Sequence, residues 1–546
     1  QYVIVDQIYR PGANAETSFY NFDGKWRVND GLTLTSKLGY SKGSGETPKQ
    51  AVYEADVFDT GAAYSLRGMS GPANASLLNG DPSKFTGAKL DWVFGASPSR
   101  TKDEETWGQL DGEYKLNSGV FTNVKFGARF AEHKRASTWV AQGPKWSADP
   151  FAAGNAPAWN GETYPADFGN GLGGGNFPKN VWQLSPGVLE AWGDKYSNRD
   201  PLERQYFAGE FSLNEKNTAV YAMSNLEGEK WSGNIGLRLV QSKERVMVNV
   251  AIPDAVCPAL KPCPSVPGAI TTSAFGSFYR TEVSNTYNDV LPSANFRFDL
   301  SKDLVGRLSA ARTLSRPDFS ALGGAISLDD TNHTGSGGNP NLKPIVSNNF
   351  DASLEWYFAP KSLLSASLYY MDLTSYVSYG VSNMSFKNIK TGKDEVYAVT
   401  SPVNSSGNVK GLELSYQQPL SNGFGFLANY TFADGKEKGG GDLVGTSRNT
   451  FNLTGYFEND TFNARLAYSY RSSFFSGLDR SSAQYQDSVG TLAASFGYKI
   501  NDKLSLSLDA LNLNNPTLKY YAGNTDRPVA FYNNGRQFYL SLRGRM

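Results

Sequence analysis

The sequence lacks features that would place it in several common protein classes. No stretch approaches the roughly 20 consecutive apolar residues that a membrane-spanning helix requires, so an inner-membrane protein is not expected. Lysine plus arginine total 52, as do aspartate plus glutamate, and the resulting net charge of zero gives no indication of a nucleic-acid partner. Methionine is sparse at six residues, and the 546 residues include two histidines and two cysteines.

Recognisable catalytic motifs are also missing. The sequence has no nucleophile elbow, phosphate-binding loop, HExxH motif or Cys–His metal spacing. The glycine-rich runs at 171–175 and 439–441 lack the strand and helix context of a phosphate site, and they indicate flexible loop tips. We therefore expect a protein that is not an enzyme and has no cofactor and no resident metal.

The two cysteines lie close together. Cys257 and Cys263 flank a proline-rich segment, CPALKPC. Two cysteines in a long chain, paired locally, predict one disulfide formed in an oxidising compartment. Two free thiols are the alternative interpretation.

Residues that favour β-structure are plentiful, with 56 glycines, 30 tyrosines, 32 phenylalanines and 10 tryptophans. Leucine alternates with serine and aspartate from Leu504 to Leu511, and similar alternation occurs at 231–239 and 462–470. A period of two places successive side chains on opposite faces of a strand. A mean hydropathy of −0.43 is compatible with strands that have one lipid-facing and one wet face.

The connections between these strands alternate between short and long. Eight tight turns lie near residues 29–31, 117–119, 227–229, 301–303, 359–361, 421–423, 458–460 and 501–503. Long connections lie roughly at 42–104, 135–204, 252–284, 317–345, 380–394, 433–447, 472–486 and 514–534. Short periplasmic turns alternating with long extracellular loops are typical of outer-membrane β-barrels. The eight turns imply sixteen strands. A further strand near Tyr2–Tyr9 and a last one at Arg536–Met546 bring the expected number of strands to about eighteen.

The same periodicity predicts which side chains face the barrel interior. The charged residues expected there are Lys37, Arg238, Arg307, Arg465 and Asp509. Charges in an apolar core would cost several kcal/mol each, whereas a wet or plugged lumen removes that cost. The aromatic residues expected on the outer face are Trp231, Phe457, Phe462 and Tyr498. They lie beside the short turns, where an interfacial girdle of aromatic residues is expected.

Several motifs resemble those of TonB-dependent receptors, particularly the proteobacterial subfamily of Caulobacter- and Xanthomonas-type bacteria. They are RTLSRPDFSAL from Arg312, GNPNLKP from Gly338, NNFDASLEWYF from Asn348, NVKGLELSYQQPL from Asn408, and the ending GRQFYLSLRGRM. Pro340 and Pro344 stop strand pairing, so these motif residues are expected to be structural. The resemblance implies energised nutrient uptake at the outer membrane, a plug, and coupling to the TonB–ExbB–ExbD complex.

The sequence departs from that family in three respects. The plug and its energy-coupling box are not visible, about four of the family's 22 strands are not seen, and the last residue is Met546 rather than an aromatic. Residues 1–546 are therefore expected to form an N-terminally incomplete barrel domain. Lipid and lipopolysaccharide are expected neighbours, and a surface lipoprotein partner is left open.

The loop at 135–204 is rich in tryptophan and suggests the ligand. The candidate ligand-binding residues are Trp139, Trp146, Trp159, Trp182 and Trp192. Flat aromatic faces stack on sugar rings while nearby amides and carboxylates meet hydroxyls, which favours a carbohydrate or oligosaccharide. The alternative is that these residues only pack the loop into a folded cap.

Four other functions remain open. An iron–siderophore would suit the same aromatic and cationic loops, and His333 is a weak candidate haem ligand because of its position between the SRPDF and NPNL motifs. A passive porin-like channel would have an open lumen. A secreted carbohydrate-binding β-protein would bury both faces of its strands and dissolve without detergent.

Overall fold

The computed structural model is nearly all β, and it describes residues 3–57, 60–84, 89–92, 95–323, 327–329, 332–388, 391, 393–479 and 482–545. Its main sheet forms a barrel wall of long antiparallel strands that follow chain order. The strands are β1 (Asn14–Arg27), β2 (Leu32–Thr47), β3 (Gly95–Ser118), β4 (Phe121–Pro144), β5 (Phe211–Glu227), β6 (Trp231–Ile252), β7 (Ser277–Asp299), β8 (Leu304–Ser315), β9 (Ile345–Ala359), β10 (Ser362–Lys387), β11 (Asp394–Pro419), β12 (Phe424–Glu437), β13 (Asn449–Glu458), β14 (Phe462–Arg471), β15 (Val489–Asn501), β16 (Leu504–Leu511) and β17 (Gln537–Gly544).

Each of these strands is hydrogen-bonded to the next from β1 to β17, and all eight predicted tight turns are confirmed. The sheet has seventeen strands among the described residues, where about eighteen were expected. The segment Val3–Tyr9 accounts for the difference, because it pairs with Ala51–Val57 beyond the barrel sheet. Pro11 and Gly12, the latter at φ 73°, interrupt the chain between Val3–Tyr9 and β1. Tyr2 and Met546, named in the strand predictions, lie outside the described residues.

The outer face of the wall is apolar and exposed. Leu368 on β10 and Leu466 on β14 are 62% and 53% exposed, as predicted for side chains that face lipid. Near the short turns, the ring centroids of Phe424 and Phe457 are 4.9 Å apart, and those of Phe462 and Tyr498 are 5.1 Å apart. These ring contacts belong to the predicted girdle. The exposure of the outer face contradicts a sandwich in which both faces of the strands are buried.

The inner face of the wall is polar. Arg307 forms an ion pair with Glu355 at 2.7 Å, and the Arg238 guanidinium lies 5.8 Å from the Tyr221 ring. Tyr221 in turn donates a hydrogen bond to Asp111 at 2.8 Å. The charges predicted to face inward at Arg238 and Arg307 are thus satisfied by neighbours across the strands.

Smaller elements lie in the long connections. The helices are α1 (Pro186–Tyr196) and α2 (Phe319–Leu322), with 3₁₀ turns at Gly68–Ser70, Trp146–Ala148, Ala153–Asn155, Asn170–Leu172, Phe207–Gly209 and Ser421–Gly423. Short strands are Val3–Tyr9, Ala51–Val57, Ala62–Ser65, Asn74–Leu77, Lys89–Trp92, Ser197–Asn198, Ser327–Asp329, Thr334–Ser336, Phe474–Asp479, Ser482–Gln486, Leu518–Ala522 and Pro528–Tyr532. Among the described residues, no helix has both the length and the apolar content needed to cross a membrane.

The predicted disulfide is present in the connection between β6 and β7. Cys257 and Cys263 are bonded, with their Cα atoms 5.2 Å apart, and Cys257 is buried. The bond closes a small ring in a segment that has little regular structure of its own.

Candidate functional site

The extracellular end carries a folded cap, built from Val3–Tyr9, Ala51–Val57, Lys89–Trp92 and residues 145–198. Its core is a cluster of buried apolar residues from the small sheet, the following loop and α1. The cluster comprises Ala51, Tyr53, Ala55, Leu90, Trp182, Leu184, Leu189, Trp192 and Tyr196. The cap is therefore held together by a hydrophobic core separate from the barrel wall.

Two of the predicted ligand-binding tryptophans belong to this core. Trp182 is 2% exposed, and the Tyr53 ring packs edge-on against both Trp182 and Trp192 at 6.4 and 5.1 Å. The Trp192 indole N–H donates to the carbonyl of Asn155 at 2.7 Å. These side chains pack the loop into a cap, which was the alternative interpretation. The spacing of Leu189, Trp192 and Tyr196 on one face of α1 is a sequence signal that could have predicted this burial, but it was not used in choosing the candidate residues.

The other three tryptophans occupy different environments. Trp159 donates its indole N–H to the carbonyl of Glu162 at 2.7 Å and packs against the cap core. Trp139, at the extracellular end of β4, lies edge-on to Tyr206 with 4.6 Å between centroids. Trp146 is 73% exposed and stacks on Phe151 at 5.5 Å. Of the five candidates, Trp146 thus presents the most open aromatic face.

A second cluster of rings was not predicted. Phe475 lies 5.5 Å from Tyr485, and Tyr485 stacks on Tyr521 at 5.4 Å with 9° between the planes. These rings border a cavity of about 260 Å³ that is also lined by Lys436 and Arg448. The rings come from two separate connections, and no sequence pattern links them. The cavity combines flat aromatic surface with hydrogen-bonding and cationic groups.

The barrel lumen contains a larger polar cavity of about 1050 Å³. Arg297, Arg307, Asp351 and Glu413 are among its lining residues. Ser309 donates to Asp351 at 3.1 Å within this lining. A lumen of this chemistry can accommodate a hydrated polar solute or a polar protein segment.

The connection between β8 and β9 spans residues 316–344 and is called here the inward loop. Its described segments 316–323 and 332–344 fold against the wall. Its residues Phe319, Leu322 and Leu342 pack in one apolar cluster with Leu213 and Val246 of the wall. The loop is also held by wall side chains, because Tyr287 donates to the carbonyl of Leu342 at 2.9 Å and Asn285 to that of Pro340 at 2.8 Å. The SRPDF and GNPNLKP motifs therefore have the structural role that was expected of them.

Beneath the inward loop lies a pair of buried carboxylates. Glu215 on β5 and Glu244 on β6 are directly opposite one another in the strand register, and Glu244 is 0% exposed. Arg316 of the loop lies 3.3 Å from Glu215 and donates to Ser242 at 3.0 and 3.2 Å. Neither carboxyl oxygen of Glu244 has a hydrogen-bond partner among the described residues.

This environment raises the pKa of Glu244 to about 7, first because burial disfavours the charged carboxylate and second because Glu215 repels it. Arg316 acts in the opposite direction. The outward neighbours Lys243 and Arg245 are exposed and charged, which places this part of β6 above the lipid-facing belt. One arginine thus faces two carboxylates, and the pair favours holding a proton.

We expect a pH dependence of the inward loop from this pair. The pKa of Glu244 is about 7 when the loop is closed, against 4.5 in water. Closure of the loop is therefore fully favoured below pH 4.5, and its free energy weakens by about 3 kcal/mol as the pH rises through 7. Proteolysis of the loop relative to a Glu244→Gln variant checks this between pH 5 and 8. The wild-type rate should be within a few-fold of the variant rate near pH 5 and should exceed it on the order of a hundredfold at pH 8. A constant ratio would contradict the assignment.

His333 does not have the surroundings of a free haem ligand. Its Nε2 lies 2.6 Å from Glu395 and 3.3 Å from the Asn388 amide, and its ring packs edge-on against Tyr397 at 5.6 Å. Among the described residues, no group of three or more His, Cys, Asp or Glu side chains is arranged to hold a metal ion. Because Nε2 of His333 already lies against Glu395 and Asn388, we do not propose a haem site at this residue.

An apolar exposed exterior, a polar interior and alternating short turns and long connections define the wall of an outer-membrane barrel. Residues 26–513 match the family model described as TonB dependent receptor-like, beta-barrel. The chain therefore belongs to the TonB-dependent receptor family, as its motifs indicated. A search of curated proteins finds no match.

Solved structures share this fold. The closed form of the ferric-catecholate import receptor Fiu from K12 E. coli is 15% identical, with a TM-score of 0.57 over 97% of this chain and 64% of that one. The siderophore receptor PiuA from Acinetobacter baumannii is 14% identical, with a TM-score of 0.56 over 97% and 64%. The copper transporter OprC is 11% identical, with a TM-score of 0.53 over 97% and 72%. At these identities the likeness concerns the fold alone, and the chain spans about 64% of the length of Fiu and PiuA.

Proposed function

We propose that this chain is the barrel of a receptor that binds a polar organic nutrient from outside the cell and imports it across the outer membrane. A carbohydrate or oligosaccharide is the ligand that we favour. The observation that carries the proposal is the combination of open aromatic faces at the extracellular end with a polar lumen of about 1050 Å³. No catalytic role is proposed.

The aromatic surfaces support a sugar ligand in two places. Trp146 stacks on Phe151 and leaves its other face in solvent. The three rings Phe475, Tyr485 and Tyr521 form a second surface, beside polar and charged groups. Sugar rings offer C–H faces to aromatic planes and hydroxyls to polar neighbours, so either surface has the appropriate chemistry.

Energy for import is proposed to come from the TonB–ExbB–ExbD complex acting through a plug in the lumen. Family membership supports this coupling. A passive porin-like channel is the competing mechanism. Uptake of the ligand in otherwise matched cells with and without TonB separates the two, because a passive channel would continue to admit the ligand without TonB.

We expect Trp146→Ala to weaken oligosaccharide binding about fivefold, since loss of one stacked aromatic face removes roughly 1 kcal/mol. Calorimetric titration of the detergent-purified receptor with malto-, xylo- and cello-oligosaccharides measures the effect. Phe168→Ala is the matched control, because Phe168 is also an exposed aromatic residue of the cap. Equal affinity of Trp146→Ala and wild type for every sugar that binds would remove Trp146 from the proposed site.

A ferric siderophore is the second candidate ligand. Lys436 and Arg448 line the cavity beside Tyr485 and Tyr521, and cations suit an anionic ferric catecholate. Fiu and PiuA, which share the fold, are described as siderophore or ferric-catecholate receptors. Titration of the same receptor with a ferric tris-catecholate decides between the candidates. Micromolar binding of that complex together with no binding of the oligosaccharides would favour the siderophore.

A further inference from the structure

The buried pair formed by Glu215 and Glu244 contains three carboxylate oxygens that nothing satisfies. They are Oε2 of Glu215 and both side-chain oxygens of Glu244, and none of them has a hydrogen-bond partner among the described residues. The two side chains are nearly inaccessible to solvent, at 3% and 0% exposure. Buried polar atoms are almost always paired, so three unpaired oxygens at one place indicate a species that binds there.

A proton on Glu244 satisfies this site in part. The protonated carboxyl can donate one hydrogen bond to Glu215, which pairs two of the three oxygens and leaves the carbonyl oxygen of Glu244 without a donor. The proton is also lost as the pH rises through about 7. At neutral and higher pH the site therefore needs a different cation.

The side chain of Glu215 is held as a metal-binding carboxylate usually is. Asn217 donates to its Oε1 at 2.6 Å, and Arg316 of the inward loop lies 3.3 Å from the same oxygen. Outer partners of this kind orient a carboxylate and leave its other oxygen free for the ion. Arg316 offsets one of the two carboxylates, so the cluster keeps one negative charge when both are ionised.

Neighbours in the same row of the wall decide which other atoms are close to the pair. Asn285 on β7 is directly opposite Glu244 in the strand register and adds an amide oxygen. His133 on β4 is directly opposite Glu215, but its Nε2 lies 2.7 Å from Asp103 and is already paired. The atoms that face the site are therefore oxygens.

An oxygen-only site selects the kind of metal. Thiolate and imidazole ligands favour copper or zinc, whereas carboxylate and amide oxygens favour hard cations such as Ca²⁺ and Mg²⁺. Ca²⁺ accepts six to eight oxygens in irregular geometry, while Mg²⁺ demands a regular octahedron and keeps several waters. An enclosed site between two strands therefore suits Ca²⁺ better. Two carboxylates are few for a tight site, so we expect a dissociation constant of roughly 10⁻⁴–10⁻³ M, as in extracellular calcium modules.

We propose that Glu215 and Glu244 bind Ca²⁺ beneath the inward loop and that the bound ion fastens this loop to the barrel wall. The ion takes the place that a proton occupies at lower pH. Arg316 links the ion site to the loop, because it belongs to the loop and lies against Glu215. An ion that binds only the closed arrangement stabilises closure by mass action. The proposal does not depend on which nutrient the receptor imports.

Binding is tested on the intact receptor, purified in detergent, treated with a chelator and titrated at pH 8 with Tb³⁺ and then with Ca²⁺ as competitor. Wild type should bind Ca²⁺ with a dissociation constant of roughly 10⁻⁴–10⁻³ M, and Glu244→Gln should bind it at least about tenfold more weakly. Glu282→Gln is the matched control, because Glu282 is an exposed carboxylate of β7, and it should bind as wild type does. A heat-modifiable mobility shift on gels confirms that each variant barrel is folded.

Protection of the loop is measured on the same proteins by limited proteolysis at pH 8. For wild type, about 10 mM CaCl₂ should slow cleavage within residues 316–344 at least about tenfold relative to chelator. NaCl at the same ionic strength should not slow it, and Glu244→Gln should respond to neither salt. Equal Ca²⁺ affinity of wild type and Glu244→Gln would overturn the proposal. So would equal protection of wild type by NaCl, because the effect would then be one of ionic strength.

Discussion

Replacing Arg316 with alanine is expected to release the inward loop from the barrel wall. Arg316 is the cation that lies against Glu215, and it also donates two hydrogen bonds to Ser242. Without it, Glu215 and Glu244 remain buried beneath the loop with no opposite charge between them. Removing one partner of a buried ion pair costs about 3–5 kcal/mol, which is comparable to the stabilisation that the apolar cluster of this loop provides.

The protease sensitivity of the inward loop measures this release. Limited proteolysis should cut within residues 316–344 of the Arg316→Ala protein at least a hundredfold faster than in wild type, while the barrel stays heat-modifiable. The variant Arg316→Ala with Glu244→Gln should recover part of the protection, because one buried charge has been neutralised. Equal cleavage of wild type and Arg316→Ala would show that the apolar contacts of Phe319 and Leu342 hold the loop without the charge cluster.

Replacing Trp192 with alanine is expected to unfold the cap and leave the barrel intact. The indole packs against Tyr53 and Tyr196 and donates to the carbonyl of Asn155. Truncation of a buried tryptophan to alanine costs about 3–5 kcal/mol, since it leaves a cavity and a carbonyl without its donor. A small unit with one hydrophobic core has little stability in reserve.

Hydrogen exchange resolved by peptide measures this effect. Peptides from 51–57 and 186–196 should lose protection together in Trp192→Ala, whereas those from β13 to β16 should not change. Trp146→Ala is the control, because that side chain is largely exposed and its loss leaves the cap core complete. Retained protection of both cap segments in Trp192→Ala would mean that the cap is stabilised mainly by its contacts with the barrel.

The sequence was most informative where structure is determined locally. Alternation of apolar and polar residues depends on the geometry of single strands, and tight turns depend on a few residues such as Asn29 or Gly423. For this reason the barrel, its faces and its eight short turns could be predicted. The segment Val3–Tyr9 has the same alternation, but its pairing with Ala51–Val57 depends on the break at Pro11.

Less of the candidate site could be predicted from the sequence. Whether a tryptophan in a long loop is exposed depends on contacts with distant residues, as Trp182 shows by packing against Tyr53. Glu215 and Glu244 individually have the pattern of ordinary inward polar residues, and only the strand register and the inward loop bring them together under Arg316. The similarity of the motifs to those of the family identified the loop but carried no information about the two buried carboxylates beneath it.

The length of β3 and β4 has a consequence for what is visible from outside the cell. Each contains 24 residues, whereas a strand crosses the membrane with about 9–11, so about 14 residues of each strand remain beyond the lipid. At 3.3 Å per residue they extend roughly 45 Å along the hairpin axis. Because the short turn at 117–119 closes this pair of strands on the periplasmic side, most of that length stands outside the cell and holds the long connections at its far end well clear of the membrane surface.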